Sequence, residues 1–287
     1  MDPIKIMING LPGNVAKVIA SHAIADNRLQ VLPWGLTGPE IDASHCRLEK
    51  MDIELVQPDQ SDRRVRELTA AHGPFICVDF THPSAVNQNA RLYCRHGLPF
   101  VMGTTGGDRD GLIETVTRST VSAVIAPNMA KQIIGFQAMM AYAAEQFPDL
   151  FQGYRLAIRE SHQSGKADTS GTAKAMVGYF NRMGIPFNAA QIEKERDPER
   201  QRNLWGIPQR YLSGHGWHTY SLVSADDTVR FEFTHNINGR EIYADGTLDA
   251  IRFLARRVAE GAKGRVYSMI DVLKEVRPDQ ESQPDAG

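Results

Sequence analysis

The stretch ESHQSGKADTSGTA, residues 160–173, concentrates side chains suited to acid–base chemistry on an anion. His162 can hold or release a proton near neutral pH, and Lys166 carries a positive charge four residues later. A segment of helical spacing follows, whose first N–H groups would be free to bind an anion; it opens with Ser170, Gly171 and Thr172. A lone histidine and lysine in a polar loop are usually solvated, so the surrounding chain must show whether they belong to a site.

Composition and charge describe a globular chain without signs of a nucleic-acid or membrane partner. Its length of 287 residues favours about two domains, and 42% of the residues are hydrophobic, as in an ordinary globular protein. The 32 basic and 34 acidic residues are interspersed and give a net charge of -2, so no extended basic field is available for a phosphate backbone. No segment reaches the roughly 20 apolar residues that a membrane-spanning helix needs. Three cysteines without zinc-site spacing, and an N-terminus unlike a signal peptide, predict reduced thiols and a cytoplasmic location.

The first 127 residues alternate apolar, β-branched runs with segments of helical spacing. Most of the runs are apolar throughout, which is typical of a parallel sheet covered by helices on both faces. The βαβ alternation predicts an α/β fold with a doubly wound, parallel dinucleotide-binding sheet. Its predicted strands are 4–8, 29–33, 75–80, 99–103 and 121–127.

The pattern changes after residue 129. A helix at about 129–147 leads to an extended segment, a helix from Ser170 to Met183, and a hairpin that turns near 225–227. This mixture predicts a second, α+β domain with a largely antiparallel sheet. An amphipathic helix then returns to the first domain. The predicted limits are a dinucleotide-binding domain at 1–129 completed by 239–277, a second domain at 130–238 and a flexible tail at 278–287.

A glycine-containing turn after the first predicted strand could hold the pyrophosphate of a dinucleotide. Gly10, Gly13 and Ala16 form a variant of the G-x-G-x-x-G fingerprint, in which glycines let the backbone turn tightly against phosphates. The next helix N-terminus adds N–H groups and a partial positive charge. A plain structural turn is the alternative, because Pro12 and Ala16 replace the usual second and third glycines. The position after the first strand of a βαβ series favours the cofactor site.

Polar residues follow the third and fourth predicted strands, where open parallel sheets bind ligands at their carboxyl edge. Thr81, Thr104 and Thr105 could flank a cofactor there, cap the next helices, or do both. No acidic residue follows the second strand before Glu40, so nothing repels the 2′-phosphate of NADPH, although no basic residue binds it either. NADPH is therefore favoured modestly over NADH.

Four motifs together resemble the 4-hydroxy-tetrahydrodipicolinate reductase family, also called dihydrodipicolinate reductase. They are GTTG at 103–106, APNM at 126–129, ESHQSGKADTSGTA at 160–173 and HNINGR at 235–240, in the order and spacing of that family. The most specific is E-x-H-x(3)-K-x-D-x-S-G-T-A, and the resemblance covers the chain to about Leu273. Gln163 stands where many bacterial members have a second histidine, and the proline before SGT is missing. Both departures resemble the plant-type branch.

The resemblance implies reduction of a small cyclic imine with two carboxylates by NAD(P)H, in the diaminopimelate route to lysine. It implies that His162, with a pKa near its natural value, donates the proton, and that Lys166 is a second cationic group that holds a carboxylate. It also implies a homotetramer in which the second domain binds substrate and makes the subunit contacts. The substrate-binding residues are Gln163, Ser170, Gly171 and Thr172. The cofactor-binding residues are Gly10, Leu11, Pro12, Gly13, Asn14, Val15, Phe80, Thr81, Gly103, Thr104, Thr105, Pro127, Asn128, Met129 and Arg240.

Two other functions remain open on the residues alone. Another two-domain NAD(P)-dependent dehydrogenase acting on a small carboxylate would share the first domain, but the E-x-H-x(3)-K and SGTA motifs would not be expected in it. A non-catalytic dinucleotide-binding sensor would keep the glycines without needing both His162 and Lys166.

No metal site is predicted, although three histidines lie close together in the sequence. His215 and His218 are three apart in a predicted strand, so their side chains should point to opposite faces. Packing or hydrogen bonding is the expected role for these two and for His235.

Overall fold

The computed structural model describes residues 2–275, which divide into two compact units. The first unit is formed by residues up to Lys131 together with those from Tyr243 onward, and the second by Gln132–Ile242. The predicted tail at 278–287 lies outside the described residues. Along the described part of the chain, no helix is long and apolar enough to cross a membrane.

The elements are numbered in chain order. The strands are β1 (Ile4–Asn9), β2 (Leu29–Val31), β3 (Trp34–Leu36), β4 (His45–Leu48), β5 (Met51–Val56), β6 (Ile76–Asp79), β7 (Phe100–Met102), β8 (Ala123–Ile125), β9 (Arg155–His162), β10 (Glu193–Glu195), β11 (His215–Val223), β12 (Arg230–Asn238) and β13 (Val266–Tyr267). The α-helices are α1 (Asn14–Ala25), α2 (Ser61–His72), α3 (Val86–Arg95), α4 (Arg109–Thr117), α5 (Lys131–Gln146), α6 (Gly171–Arg182), α7 (Pro198–Asn203), α8 (Glu241–Ala259) and α9 (Met269–Glu275).

The first unit is built on a six-stranded parallel sheet of order β13-β8-β7-β6-β1-β2. Every residue of β6, β7 and β8 is buried, as their continuous apolar runs predict for a sheet covered on both faces. The predicted doubly wound parallel sheet is confirmed, and each of its five predicted strands is present. The sixth strand, β13, was not predicted because two residues carry no periodic signal.

A small three-stranded sheet of order β3-β5-β4 follows β2 in the chain. None of its strands was predicted, because they are short and mix buried with exposed residues; β4, for example, alternates over only four. This sheet supports the turn after β1, since the carbonyl of Leu36 accepts a hydrogen bond from Gly10 N–H at 2.8 Å.

The second unit contains a four-stranded sheet of order β10-β9-β11-β12. The β9–β11 and β11–β12 pairs are antiparallel and the β10–β9 pair is parallel, so the predicted α+β domain with a largely antiparallel sheet is confirmed. In its core, Met140 of α5 and Phe180 of α6 pack with Ile158 and Tyr220 of the sheet. β10 was not predicted, because the sequence EKE has no apolar residue to mark a strand.

Strand register places three ionisable residues in one row across this sheet. Glu160 of β9 is opposite His218 of β11, and His218 is opposite His235 of β12. His162 lies two residues beyond Glu160 and therefore points to the same face, opposite Gly216.

Candidate active site

The candidate proton donor ends a strand, and the candidate anion site begins the next helix. His162 is the last residue of β9 and is only 9% exposed. Gln163 and Lys166 are half-buried in the turn that follows, where Lys166 N–H donates to Gln163 O over 3.0 Å. Ser170 occupies the N-cap position of α6 as expected, but its hydroxyl makes no capping hydrogen bond.

The N-terminus of α6 is suited to a carboxylate. Gly171 is exposed and Thr172 is half-buried, and the first turn contains no acidic residue. The first N–H groups of a helix have no partner inside the helix, and the helix dipole adds a partial positive charge. These two residues can therefore bind an anion through their main chain.

Glu160 lies at the centre of the polar side chains, although no role was assigned to it from the sequence. Its carboxylate is fully buried. Oε2 accepts from Ser170 N at 3.1 Å and lies 3.7 Å from His218 Nε2. Oε1 accepts from Arg196 Nη2 and lies 3.7 Å from His162 Nδ1. A guanidinium and a main-chain donor thus compensate the burial of this charge.

The histidines of β11 have different roles on the two faces of the sheet, as their spacing predicted. His215 contacts Ser161 Oγ at 2.9 Å on one face, a hydrogen-bonding role that was expected. On the other face His218 packs edge-on against His162, with 5.0 Å between ring centroids, and stacks on His235 at 4.6 Å. His218 therefore lies beside the candidate proton donor and belongs to this site, which its spacing alone did not indicate.

The environment of His162 favours the neutral imidazole in the free protein. Desolvation by burial, followed by the positive charges of Arg196 and Lys166, lowers its pKa to about 3. The expectation of a pKa near the natural value is therefore wrong for the free protein. Negative charge placed beside the same cations would raise this pKa again.

Two residues from an unpredicted part of the chain hold the turn between β9 and α6. Arg196 Nε donates to Lys166 O at 2.8 Å. Gln201 is fully buried in α7 and donates from Nε2 to His162 O at 2.6 Å. Both residues lie in a charged segment with no hydrophobic period, so no local signal could have identified them; only the fold brings them to the motif.

Glu160, His162 and His218 bring three atoms of metal-ligand type within 4.8 Å of one another. These residue types would suit Zn²⁺. The carboxylate, however, is paired with Arg196 and Ser170 N, so a dication would sit next to a guanidinium. We assign no metal to this group, and the absence of a metal site stays a prediction.

In the first unit, the turn after β1 has a tight backbone geometry that requires glycine at two positions. Gly10 has a φ of 102°, and a Cβ there would lie 2.1 Å from Phe80 O. Gly13 N–H donates to Gly10 O at 2.9 Å, and a Cβ at Gly13 would lie 2.7 Å from that oxygen. α1 then begins at Asn14 with no side-chain cap and no acidic residue in its first turn. Its N-terminus is thus open to an anion.

A buried carboxylate organises the loops after β6 and β7. Asp79 Oδ1 accepts from Thr81 N at 3.1 Å, Thr81 Oγ1 at 2.7 Å and Thr104 Oγ1 at 2.7 Å. Oδ2 accepts from Asn89 Nδ2 at 2.9 Å and Tyr93 OH at 2.7 Å. The two threonines are therefore fixed by Asp79, and this network satisfies a charge that has no cationic partner in it.

The threonines do not cap the helical segments that follow, so that alternative is wrong. His82 and Asp108 provide those caps. Gly103 leaves room for the ring of Phe80, since a Cβ there would lie 2.2 Å from Phe80 Cε1. Thr105 is exposed.

The remaining candidate cofactor-binding residues differ in whether their side chain or only their main chain could contact a ligand. Leu11 and Met129 are each 1% exposed, so only their main chain could reach a ligand. Asn128 Oδ1 accepts from Ala130 N at 2.9 Å. Arg240 lies in the second unit, where Nη2 donates to Ser213 O at 3.3 Å, and so is not in the same unit as the other cofactor candidates. Pro12 and Val15 are half-buried, and Pro127 is exposed.

Glu40 folds back towards a segment that is hydrogen-bonded to the glycine turn. Thr37, directly after β3, donates from Oγ1 to Leu11 O at 2.7 Å. The carboxylate of Glu40 folds back on Gly38, where a Cβ would lie 2.3 Å from Oε1. A carboxylate is thus present in the segment after β3, which weakens the expected preference for NADPH.

Two protein-family models match this chain, one in each half. The model described as "Dihydrodipicolinate reductase, N-terminus" matches residues 4–129, and "Dihydrodipicolinate reductase, C-terminus" matches residues 133–273. The two models thus follow each other in order over most of the chain.

Similar proteins from plants cover almost the whole chain. It is 44% identical over 270 residues to the probable 4-hydroxy-tetrahydrodipicolinate reductase 1, chloroplastic, of Oryza sativa subsp. japonica, covering 94% of this chain and 78% of that protein. It is 44% identical over 272 residues to 4-hydroxy-tetrahydrodipicolinate reductase 1, chloroplastic, of Arabidopsis thaliana, covering 95% and 78%. Identity to the 4-hydroxy-tetrahydrodipicolinate reductase of Herminiimonas arsenicoxydans is 30% over 282 residues, covering 95% and 99%. The higher identity to plant proteins agrees with the plant-type departures in the motif.

Among solved structures, the fold matches a dipicolinate-bound dihydrodipicolinate reductase from Paenisporosarcina sp. TG-14. The TM-score is 0.63 with 17% identity, over 93% of this chain and 97% of that chain. At this identity the likeness shows the fold alone. Because both halves match models of one enzyme family, and relatives named as reductases align over nearly the whole length, the chain belongs to the dihydrodipicolinate reductase family of NAD(P)H-dependent oxidoreductases.

Proposed function

We propose that this protein reduces 4-hydroxy-tetrahydrodipicolinate to tetrahydrodipicolinate with a nicotinamide dinucleotide, in the diaminopimelate route to lysine. The observation that carries the proposal is the cluster of His162, Glu160 and the N-terminus of α6 in a chain of the reductase family. This cluster combines a proton donor with an anion site, which is what a small dicarboxylate that accepts a proton on carbon needs. A dinucleotide-binding sensor would have no use for it.

Lys166 and the start of α6 are the groups that hold the substrate carboxylates. The main chain at Lys166 is fixed by Arg196, so its ammonium extends from an anchored turn. Ser170 N–H is used by Glu160, and the next two N–H groups, of Gly171 and Thr172, bind a carboxylate. Gln163 lies in the same turn and can add a neutral hydrogen bond. The dipicolinate ligand of the Paenisporosarcina enzyme is a cyclic dicarboxylate of this kind.

His162 provides the proton that completes the reduction. When bound, the dinucleotide supplies a hydride to the conjugated imine of the substrate. His162 protonates the resulting electron density on carbon. In the net reaction the ring hydroxyl leaves as water together with a hydrogen of the adjacent ring carbon, so one hydride and one proton are consumed and one water is released. A dianion beside Lys166 and Arg196 offsets the positive charges that lower the pKa of His162, so substrate binding itself favours the protonated donor.

The residues of the first unit fit the cofactor. The Gly10–Gly13 turn and the N-terminus of α1 suit its pyrophosphate, and Asp79 fixes the loops that carry Thr81 and Thr104 beside it. The proposal takes the main chain of residues 127–129 and the side chain of Arg240 as further contacts. NADPH is the preferred form in this proposal and NADH is accepted less well.

A homotetramer formed through the sheet of the second unit is the proposed assembly. In the described chain β12 is an edge strand of this sheet, nine residues long, with exposed Arg230, Glu232 and Thr234. An edge of this length is available for self-association. Light scattering of the purified protein tests the assembly, and a stable monomer would contradict it.

The proposed location is the cytoplasm, on the cysteine usage. The relatives from rice and Arabidopsis are chloroplastic proteins, so the two compartments must be distinguished by experiment. Fractionation of the source cells, followed by immunodetection, separates them.

A coupled assay tests the activity. Dihydrodipicolinate synthase generates the substrate from pyruvate and aspartate semialdehyde, and the oxidation of NADPH and of NADH is then followed in separate reactions. We expect oxidation that depends on both the synthase and this protein. Cofactor binding without such oxidation would contradict the reductase assignment and favour a sensor.

A further inference from the structure

Glu160 is a buried anion that the proposed reaction does not yet use. Carboxylates are seldom fully buried unless they are paired, and this one is paired with Arg196 and Ser170 N. It also faces His162 and His218. The Glu160 side chain thus lies beside His162, at the end of its own strand, and is hydrogen-bonded to the N-cap residue of α6.

The ring of His162 shows what Glu160 could do. Its Nδ1 is buried and has no hydrogen-bond partner among the described residues. Glu160 Oε1 lies 3.7 Å from this atom, too far for a hydrogen bond. Hydrogen bonds of catalytic groups are often long in ligand-free proteins and shorten when the substrate is bound. A movement of about 1 Å would form this one.

The other ring nitrogen of His162 lies over Gly216. A Cβ at Gly216 would lie 3.3 Å from Nε2, so glycine lets the ring pack this closely on β11. Nδ1 is the nitrogen that faces the buried carboxylate, which leaves Nε2 as the nitrogen for a reacting group.

We propose that Glu160 is a positioning residue: its charge holds the proton of neutral His162 on Nδ1 in the free protein and accepts this Nδ1–H as a hydrogen bond in the loaded site, so that Nε2 delivers the proton to the substrate. The same carboxylate keeps the start of α6 in register with His162 through Ser170 N. The direction of proton delivery rests on the proposed function; the choice of tautomer does not. A carboxylate that fixes a histidine tautomer in this way is a known device in other enzymes.

Glu160 is the anion among the charged and titratable groups that face His162. On its own strand and in the adjoining turn the groups are Glu160 and Lys166. The others on the same side are Arg196 after β10, His218 on β11 and His235 on β12, while His215 acts from the opposite face of the sheet. Neutralising Glu160 leaves Lys166 and Arg196 unopposed, so the pKa of His162 falls. Since the donor must be protonated, the alkaline limb of the kcat–pH profile should move to lower pH.

The experiment compares Glu160→Gln, Glu160→Asp and the control Ser161→Ala with the wild type. Ser161 is the next residue of β9, equally buried, and its hydroxyl contacts His215 on the opposite face. Two properties are measured on the full chain: the pH dependence of kcat in the coupled assay, and the tautomer of His162 by ¹⁵N NMR of the imidazole ring near pH 7.5. The His162 signals are assigned by their loss in His162→Gln.

In the wild type and in Ser161→Ala we expect the Nδ1–H tautomer and the same alkaline limb. Glu160→Gln should lose the tautomer preference, lower kcat by roughly 10²-fold or more and shift the alkaline limb down by about one pH unit. Glu160→Asp keeps the charge and should keep the position of the limb with a smaller loss of kcat.

An Nε2–H tautomer in the wild type would overturn the proposal, even if no Glu160 variant folds. A Glu160→Gln protein with the wild-type tautomer and profile would also overturn it. Because NMR needs no substrate, a wild type that lacks reductase activity refutes the proposed function and leaves the tautomer as a separate result.

Discussion

The burial of His162, the proposed proton donor, disfavours its protonated form. In the free protein, desolvation and two cations lower its pKa to about 3, so the imidazole is neutral at physiological pH. Lys166, half-buried in the next turn, is one of those cations and also the group proposed to hold a carboxylate. Protonation of His162 and occupation of the anion site are thus linked. Substitutions of His162 and of Lys166 should therefore change kcat and KM differently.

We expect His162→Gln and Lys166→Ala to reduce activity in different ways. The glutamine removes the proton donor but keeps a polar side chain of similar reach, so kcat should fall roughly 10²–10⁴-fold with a smaller effect on substrate KM. The alanine removes a charge that binds the substrate in the ground state and the transition state, so KM should rise as kcat falls. Both variants should bind NADPH like the wild type, which titration calorimetry can check. Near wild-type turnover in both would make this stretch an ordinary solvated loop.

Glu40 should limit the preference for NADPH. Its carboxylate folds back towards Gly38, next to the segment that is bonded to the glycine turn, and would repel a 2′-phosphate there. Glu40→Gln is therefore expected to raise the ratio of kcat/KM for NADPH over NADH by a few-fold. Glu49→Gln, an exposed acid in the β4–β5 turn, is the control. An unchanged ratio in Glu40→Gln would place the 2′ position elsewhere.

At the scale of elements, the strands that could be predicted from the sequence were those with a strong hydrophobic pattern. β6, β7 and β8 are buried throughout and could be read from their apolar runs. β10 consists of charged residues, and the Arg196 that follows it reaches the motif only through the fold. Glu160 and His162 did carry a usable signal, because residues two apart in a strand share a face. The position of His218 beside His162 depends on cross-strand register, which one sequence does not reveal.

Asp79 should act on the cofactor through the two loops that it holds. In Asp79→Asn the side chain can no longer accept from all of its donors, so the loops that carry Thr81 and Thr104 should loosen and the Kd for NADPH should rise about tenfold. Tyr93→Phe is the control, because it removes a donor that comes from α3 and not from either loop. We expect this control to lower stability by about 1 kcal/mol with little change in Kd. Equal effects of the two variants on Kd would show that Asp79 serves only stability.

At the scale of the whole molecule, the buried histidines make the second unit sensitive to acid. Desolvation lowers the pKa of His235 to about 4, and burial also lowers the pKa of His162, His215 and His218. Between the unfolded value near 6.5 and the folded value, the unfolded chain binds more protons. Stability is therefore full above pH 6.5 and is lost as the pH falls towards 4.

His235→Gln should reduce this acid sensitivity. When the pH is lowered from 7.5 to 5, the wild type should lose about 2 kcal/mol more unfolding free energy than His235→Gln, which lacks one such histidine. Urea unfolding in a Trp34→Phe background measures it, since the other two tryptophans, Trp205 and Trp217, belong to the second unit. The matched control is His45→Gln, an exposed histidine of the first unit. If His235→Gln and the control lose the same free energy on acidification, the buried histidine is not the cause.

The order of the two units along the chain also determines which of them is completed first during synthesis. The second unit is one continuous segment, whereas the first unit needs residues from both sides of it, and β8 gains its outer neighbour β13 only at Val266. A ribosome adding roughly 5–20 residues per second would complete the second unit about 1–5 s before that strand. During this interval β8 is an open edge of the nascent sheet, the kind of surface on which chaperones act and to which other nascent chains can add.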